Sequence, residues 1–185
     1  MNLLNMKLKK ALNFSENKHG SQMYGDLPYM KHIYDVVYLA KDLGYNEEIQ
    51  VACALHDVLE DTDTTPNEII KNFGRQTFET VWGVTDAEGE SRKQRKKNTY
   101  PRIKSSWKST VVKILDRVSN IKSCIEYDNI KKLEMYRKEH KEMFKSVKSK
   151  NHSSMVLYAW IEYGKYFSFN KDKSYRSYME LMSNQ

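Results

Sequence analysis

Apolar side chains recur along this chain at three- and four-residue intervals, and no segment alternates strictly enough to predict a half-buried strand. Leu4, Leu8, Ala11 and Leu12 predict a first helix from about Asn2 to Lys18. Gly20 and Gly25 interrupt the pattern, and Pro28 predicts a restart at a first helical turn. The second helix carries His32, Val36, Val37, Leu39 and Ala40 and ends near Gly44. Asn46 is placed to cap a third, with Glu47 and Glu48 at the positive end of its dipole, running through Val51, Ala54, Leu55 and Val58 toward Asp61. Thr65-Pro66-Asn67-Glu68 spells a capping box, and Gly74 closes that short helix. Phe78, Val81 and Val84 continue the helical period, followed by an apolar helix through Val111, Val112, Ile114, Leu115, Val118 and Ile121. Two more helices, about Ile130 to Val147 and Ser153 to Phe167, complete an all-α bundle of about eight. With no repeat, low-complexity tract or linker, the 185 residues read as one compact domain, 1–185.

Composition narrows the class. The longest purely apolar run, Met155 to Ile161, is seven residues, far below the roughly 20 that span a bilayer. Lys7, Lys9 and Lys10 precede any apolar stretch long enough for a signal peptide. Cys53 and Cys124 both lie in apolar helical patterns and read as reduced core thiols, which predicts a cytoplasmic protein without a membrane partner. Lys and Arg number 31 against 24 Asp and Glu, a formal +7. That surplus is local. Nine bases and no acid lie between Ser91 and Leu115, and without them 22 bases face 24 acids. Asp42 to Ile70 is the mirror image, with eight acids and no base.

The acidic block holds the candidate chemistry, Leu55-His56-Asp57-Val58-Leu59-Glu60-Asp61-Thr62. Adjacent ionisable groups flanked by Ala54, Leu55, Val58 and Leu59 are costly to bury without a partner, and a divalent cation takes a neutral imidazole and a carboxylate together. Glu60 follows His56 by four residues and Asp61 follows Asp57 by four, which a continuous helix stacks on the same faces. A solvated acidic helix end is the alternative this pattern leaves open. His32 on the preceding helix and Asp116 within Val111 to Val118 add a second imidazole and another carboxylate; alone, Asp116 would pair with Arg117 or Lys113.

Taken in order, His32, His56-Asp57 and Asp116 resemble the H…HD…D pattern of HD-domain metal phosphohydrolases. The likeness extends to the alarmone-hydrolase branch of the RelA/SpoT type. Pro28-Tyr29 before His32 resembles its P-Y-x-x-H motif, and L-H-D-V-L-E-D-T-D-T-T over Leu55 to Thr65 is similar to its signature. Phe73-Gly74, Val84-Thr85-Asp86 and V-K-I-L-D-R-V-S-N over Val112 to Asn120 follow in the expected order, so the motif-bearing core covers about Lys18 to Ile125, with C-terminal helices completing the fold.

The resemblance implies one divalent cation, manganese in this branch, on His32, His56, Asp57 and Asp116; mixed imidazole and carboxylate ligands also suit iron or zinc. It implies that Glu60 and Asp61 handle protons around the attacking water, that Arg117 braces that acidic pair or the phosphates, that Asn120 contacts the nucleotide and that Lys113 lies near phosphate. The implied reaction removes pyrophosphate from the 3′ position of a (p)ppGpp-like nucleotide. One departure bears on substrate: the branch carries an Arg or Arg-Lys before Pro-Tyr, whereas Gln22 to Tyr29 holds no base. Tyr24 is placed either to stack on a purine or to serve an ordinary turn. Arg92 and Arg95 are candidates for a phosphate-capturing rim, the alternative being a solvated face. Tyr100 and Trp107 are open to base stacking or core packing, nucleic acid being the less favoured partner. Another nucleotide, a 3′-modified RNA end and a non-catalytic antitoxin-like role are the remaining alternatives. His19, His140 and His152 read as structural or surface residues, and Tyr158, Trp160, Tyr163, Tyr166 and Phe167 as core packing. Oligomeric state is not legible.

Overall fold

Nearly every apolar period found in the sequence becomes a helix in the computed structural model, which describes residues 4–149 and 155–166. Ten helical segments occur among the described residues: α1 (Leu4–His19), α2 (Met30–Asp42), α3 (Glu47–Leu55), α4 (Val58–Asp61), α5 (Pro66–Phe73), α6 (Arg75–Val84), α7 (Arg92–Ser105), α8 (Trp107–Glu126), α9 (Ile130–Val147) and α10 (Met155–Gly164). The all-α reading holds. His152, Ser153 and Phe167 lie outside the described residues.

Three local differences have physical causes. β1 (Met23–Tyr24) and β2 (Leu27–Pro28) form a two-stranded antiparallel hairpin, too short for alternation to reveal. Gly25 takes φ +63° at the first loop position, a left-handed conformation that glycine tolerates. Pro28 therefore ends a strand, pairing with Met23, and α2 begins at Met30. The expected single helix from Asn46 to Asp61 is broken at His56–Asp57 into α3 and α4. The basic segment, given no helical period of its own, is helical as α7, with Ser91 Oγ accepting the Gln94 amide at 3.2 Å at its start.

The chain divides into two units, Met1–Thr99 and Tyr100–Gln185. In the first, α3 is the central element: α1, α2 and α6 all pack on it. That explains why Ile49, Val51, Ala52, Cys53, Ala54 and Leu55 are buried all round its circumference. Asn46 caps it as predicted, its side chain accepting the Ile49 amide at 3.2 Å. The capping box also forms: Thr65 Oγ1 accepts the Glu68 amide at 3.3 Å, and Glu68 Oε2 accepts the Thr65 amide at 2.8 Å. In the second unit α8 packs against α9 and α10, and Trp160, Tyr163, Phe144, Ile114 and Leu115 are fully buried. Trp160 and Tyr163 are core as expected, whereas Tyr158 is exposed. Tyr100 is buried, which favours core packing over base stacking, and Cys53 and Cys124 are buried free thiols. No described helix is long and apolar enough to cross a membrane.

Candidate metal centre

The break between α3 and α4 builds the site. A continuing helix would offer the carbonyls of Cys53 and Ala54 to the amides of Asp57 and Val58. Side chains take them instead: His56 Nδ1 donates to Cys53 O at 2.7 Å, and the Ser15 hydroxyl from α1 donates to Ala54 O. The buried end of α3 is thereby satisfied, and the chain turns so that His56 and Asp57 point together.

His32 from α2 joins them. One nitrogen from each imidazole and one Asp57 oxygen lie within 4.8 Å of one another. Asp57 Oδ2 is 3.0 Å from His56 Nε2 and 3.6 Å from His32 Nε2, and both imidazoles are almost wholly buried. Because His56 Nδ1 must carry the hydrogen it gives to Cys53 O, its Nε2 in the neutral ring presents a lone pair. That lone pair faces a carboxylate oxygen. Two acceptors at 3.0 Å repel unless a proton or a cation lies between them, so the donor set fits a divalent ion on its own chemistry.

Tyr29, at the start of α2, ties this group to Asp61. Its hydroxyl lies 2.8 Å from Asp57 Oδ2 and 2.6 Å from Asp61 Oδ2. Burial first, and then the two carboxylates, push that phenol far above its usual range, so it stays protonated. One hydroxyl hydrogen serves two carboxylates only if a second proton is shared or Asp57 is neutralised by a cation. Asp61 opens to water on its outer side, yet burial raises its carboxyl above the usual range, opposed by the Tyr29 hydrogen bond. The expected alignment of Asp57 with Asp61 survives, because the Asp61 amide still donates to Asp57 O at 2.9 Å. Glu60 is tied to the bend after α6, its Oε2 accepting the Asp86 amide at 3.0 Å.

Tyr24 and His19 complete the surroundings. The Tyr24 ring stacks on His32, centroids 5.0 Å apart and 11° from parallel, so one of its faces is already covered. His19, read from sequence as a structural or surface residue, is buried and stacks on Tyr29 at 4.4 Å, its Nδ1 2.8 Å from Gln22 Oε1. Neither the Tyr29 bridge nor the His19 stack was legible, beyond Tyr29's place in P-Y-x-x-H. These contacts join residues up to 32 positions apart.

The remaining predicted residues lie in the second unit or on α7. Asp116 is buried on α8, pairs with Lys113 at 2.9 Å and accepts from the Asn120 amide nitrogen. Arg117 is buried, 3.0 Å from Glu139 and 4.4 Å over the Tyr136 ring. Arg92 and Arg95 are half-buried.

Residues 11–150 match the family described as HD domain. The chain belongs to the HD-domain family. Among relatives of this HD domain, the guanosine-3′,5′-bis(diphosphate) 3′-pyrophosphohydrolase of Aquifex aeolicus is 32% identical over 123 residues, 63% of this chain but 18% of that protein. The protein of the same enzyme name from Danio rerio is 31% identical over 121 residues, 62% of this chain and 67% of its own. The HD domain thus spans less than a fifth of one relative and about two thirds of the other. A solved structure described as a metazoan ortholog of SpoT that hydrolyzes ppGpp superposes with a TM-score of 0.71 at 20% identity, over 89% of this chain and 98% of that one, a likeness of fold.

Proposed function

We propose that this HD domain is a divalent-cation-dependent phosphohydrolase that releases pyrophosphate from the 3′ position of a (p)ppGpp-like nucleotide, with manganese as the working ion. The observation that carries the reading is the group of buried His32 and His56 with half-buried Asp57, the His56 tautomer being set by Cys53 O. Its support lies in the names of the relatives as 3′-pyrophosphohydrolases. In this reading His32, His56 and Asp57 are ligands, and Asp116 is a fourth by its place in the H…HD…D order.

A bound cation supplies polarisation of a phosphoryl oxygen and a lowered pKa for water. The rest belongs to the chain's own groups. Attack by water on phosphorus breaks the bond to the ribose 3′ oxygen. One proton leaves the water for a carboxylate, and one reaches the departing oxygen. Glu60 and Asp61 are the proposed proton carriers, with Asp61 held in place by Tyr29. Arg92 and Arg95 offset the charge of the polyphosphate, and Lys113, Arg117 and Asn120 meet the nucleotide. The cytoplasm is the proposed compartment.

A second reading keeps the chemistry and changes the substrate to another nucleotide or a 3′-modified RNA end. It is favoured by the absence of any base between Gln22 and Tyr29 and by the stacking of Tyr24 on His32. Purified chain stripped with EDTA and reloaded with Mn²⁺ is to be incubated with a nucleotide panel, scoring phosphate and pyrophosphate separately. Pyrophosphate from guanosine 3′,5′-bis(diphosphate), lost with EDTA and absent in His56→Ala, is the expected result. Release from a different nucleotide would move the argument to the second reading, and Mn²⁺-independent turnover would overturn both.

A further inference from the structure

The bend after α6 holds a buried ion pair for which the proposed chemistry has no direct use. Lys96 Nζ lies 2.8 Å from each oxygen of Asp86. The two side chains are 10% and 5% exposed. Taking both charges out of water costs about as much as their attraction returns, so such a pair is poorly explained as a source of stability. What it does supply is geometry. The Asp86 amide points at Glu60 and donates to its Oε2 at 3.0 Å across 26 residues of sequence.

The backbone on either side is gripped independently. The Thr85 amide and hydroxyl both donate to Val81 O, closing α6. The Ala87 amide donates to the Thr99 hydroxyl at 2.9 Å, which itself donates to Arg95 O. Residues 85–87 are therefore held to α6 on one side and to α7 on the other, with the Lys96–Asp86 pair between the two grips.

We propose that Lys96 and Asp86 are positioning residues for Glu60. Their buried pair fixes the Asp86 peptide so that its N–H holds the Glu60 carboxylate in one orientation for proton transfer. This rests on the role given to Glu60 above. The Lys96 ammonium, paired with Asp86, is buried and separate in role from Arg92 and Arg95.

The test is a double-mutant cycle with the full chain. Lys96→Met keeps the apolar stem and removes the charge. Its kcat is expected to fall about 10-fold or more with KM little changed, since displacing a reacting group by about 1 Å costs that much or more. In a Glu60→Gln background the same change should have no further effect. A second readout does not need turnover: exchange of the Asp86 amide should quicken about 10-fold in Lys96→Met and in Glu60→Ala, as one lost hydrogen bond predicts, while α8 core amides stay protected. If Lys96→Met does not fold, Asp86→Asn, which weakens the pair and keeps the amide, takes its place in both measurements. Equal kcat losses in the two backgrounds, or unchanged Asp86 exchange, would overturn the proposal. Wild type without pyrophosphate release would defeat the functional reading alone, and the exchange comparison would still decide whether the pair holds Glu60.

Discussion

His56 divides its two ring nitrogens between fold and site. Nδ1 closes the buried end of α3 on Cys53 O, and the same bond leaves Nε2 as the nitrogen available to a cation. Adjacent ionisable residues in an apolar helix signalled this pair in the sequence, because burying them demands a partner. The hydroxyl of Tyr29 carried no such signal, since a tyrosine among apolar residues has an ordinary core role as its default. In the structure it joins Asp57 to Asp61. Tyr29→Phe should leave the helical content intact and weaken Mn²⁺ binding about 10- to 100-fold, the usual consequence of removing a group that orients a ligand. Titration calorimetry with Mn²⁺ checks this, and unaltered affinity would show that Asp57 needs no such support.

Helix boundaries were legible wherever one short motif decides them. Asn46 and Thr65 cap as their neighbours in sequence require, and Thr65→Ala should cost about 1 kcal/mol in urea denaturation. Glu68 belongs to that cap and also meets Lys18 at 2.9 Å, and these contacts, Lys18 foremost, lower its pKa from 4.5 to about 2. A carboxylate depressed in the folded state contributes stability above its unfolded pKa and loses it as pH falls through the folded value. The difference in Tm between wild type and Glu68→Gln should thus be full at pH 6 and vanish between about pH 4.5 and pH 2. A difference persisting at pH 2 would assign it to packing. The split of α3 from α4 was not legible, because it depends on Ser15, a residue from another helix, taking the Ala54 carbonyl. The helicity of the basic segment was obscured because α7 has no apolar face comparable to those of its neighbours.

Across the whole chain, the charge surplus lies between Ser91 and Leu115, and the His56-Asp57 pair lies in the acidic block from Asp42 to Ile70. A cation bound only by the folded state raises stability with concentration, about 2.7 kcal/mol at a hundredfold excess over Kd. Mn²⁺ should therefore raise the Tm of EDTA-treated wild type and leave Asp57→Ala unmoved, as differential scanning calorimetry would report. Lack of a shift in wild type would argue for the solvated acidic alternative. The sequence by itself determined the all-α class and both caps, because these follow from periodicity and from residues within four positions of one another, and it displayed the order of the HD motif directly along the chain. Tertiary structure alone decided that α3 stops at His56, that Tyr29 bridges two carboxylates, that His19 braces Tyr29, and that Lys96 faces Asp86. Each of these depends on groups 10 to 39 residues apart competing for the same buried carbonyl, carboxylate or ring face, and no local pattern records which of them wins.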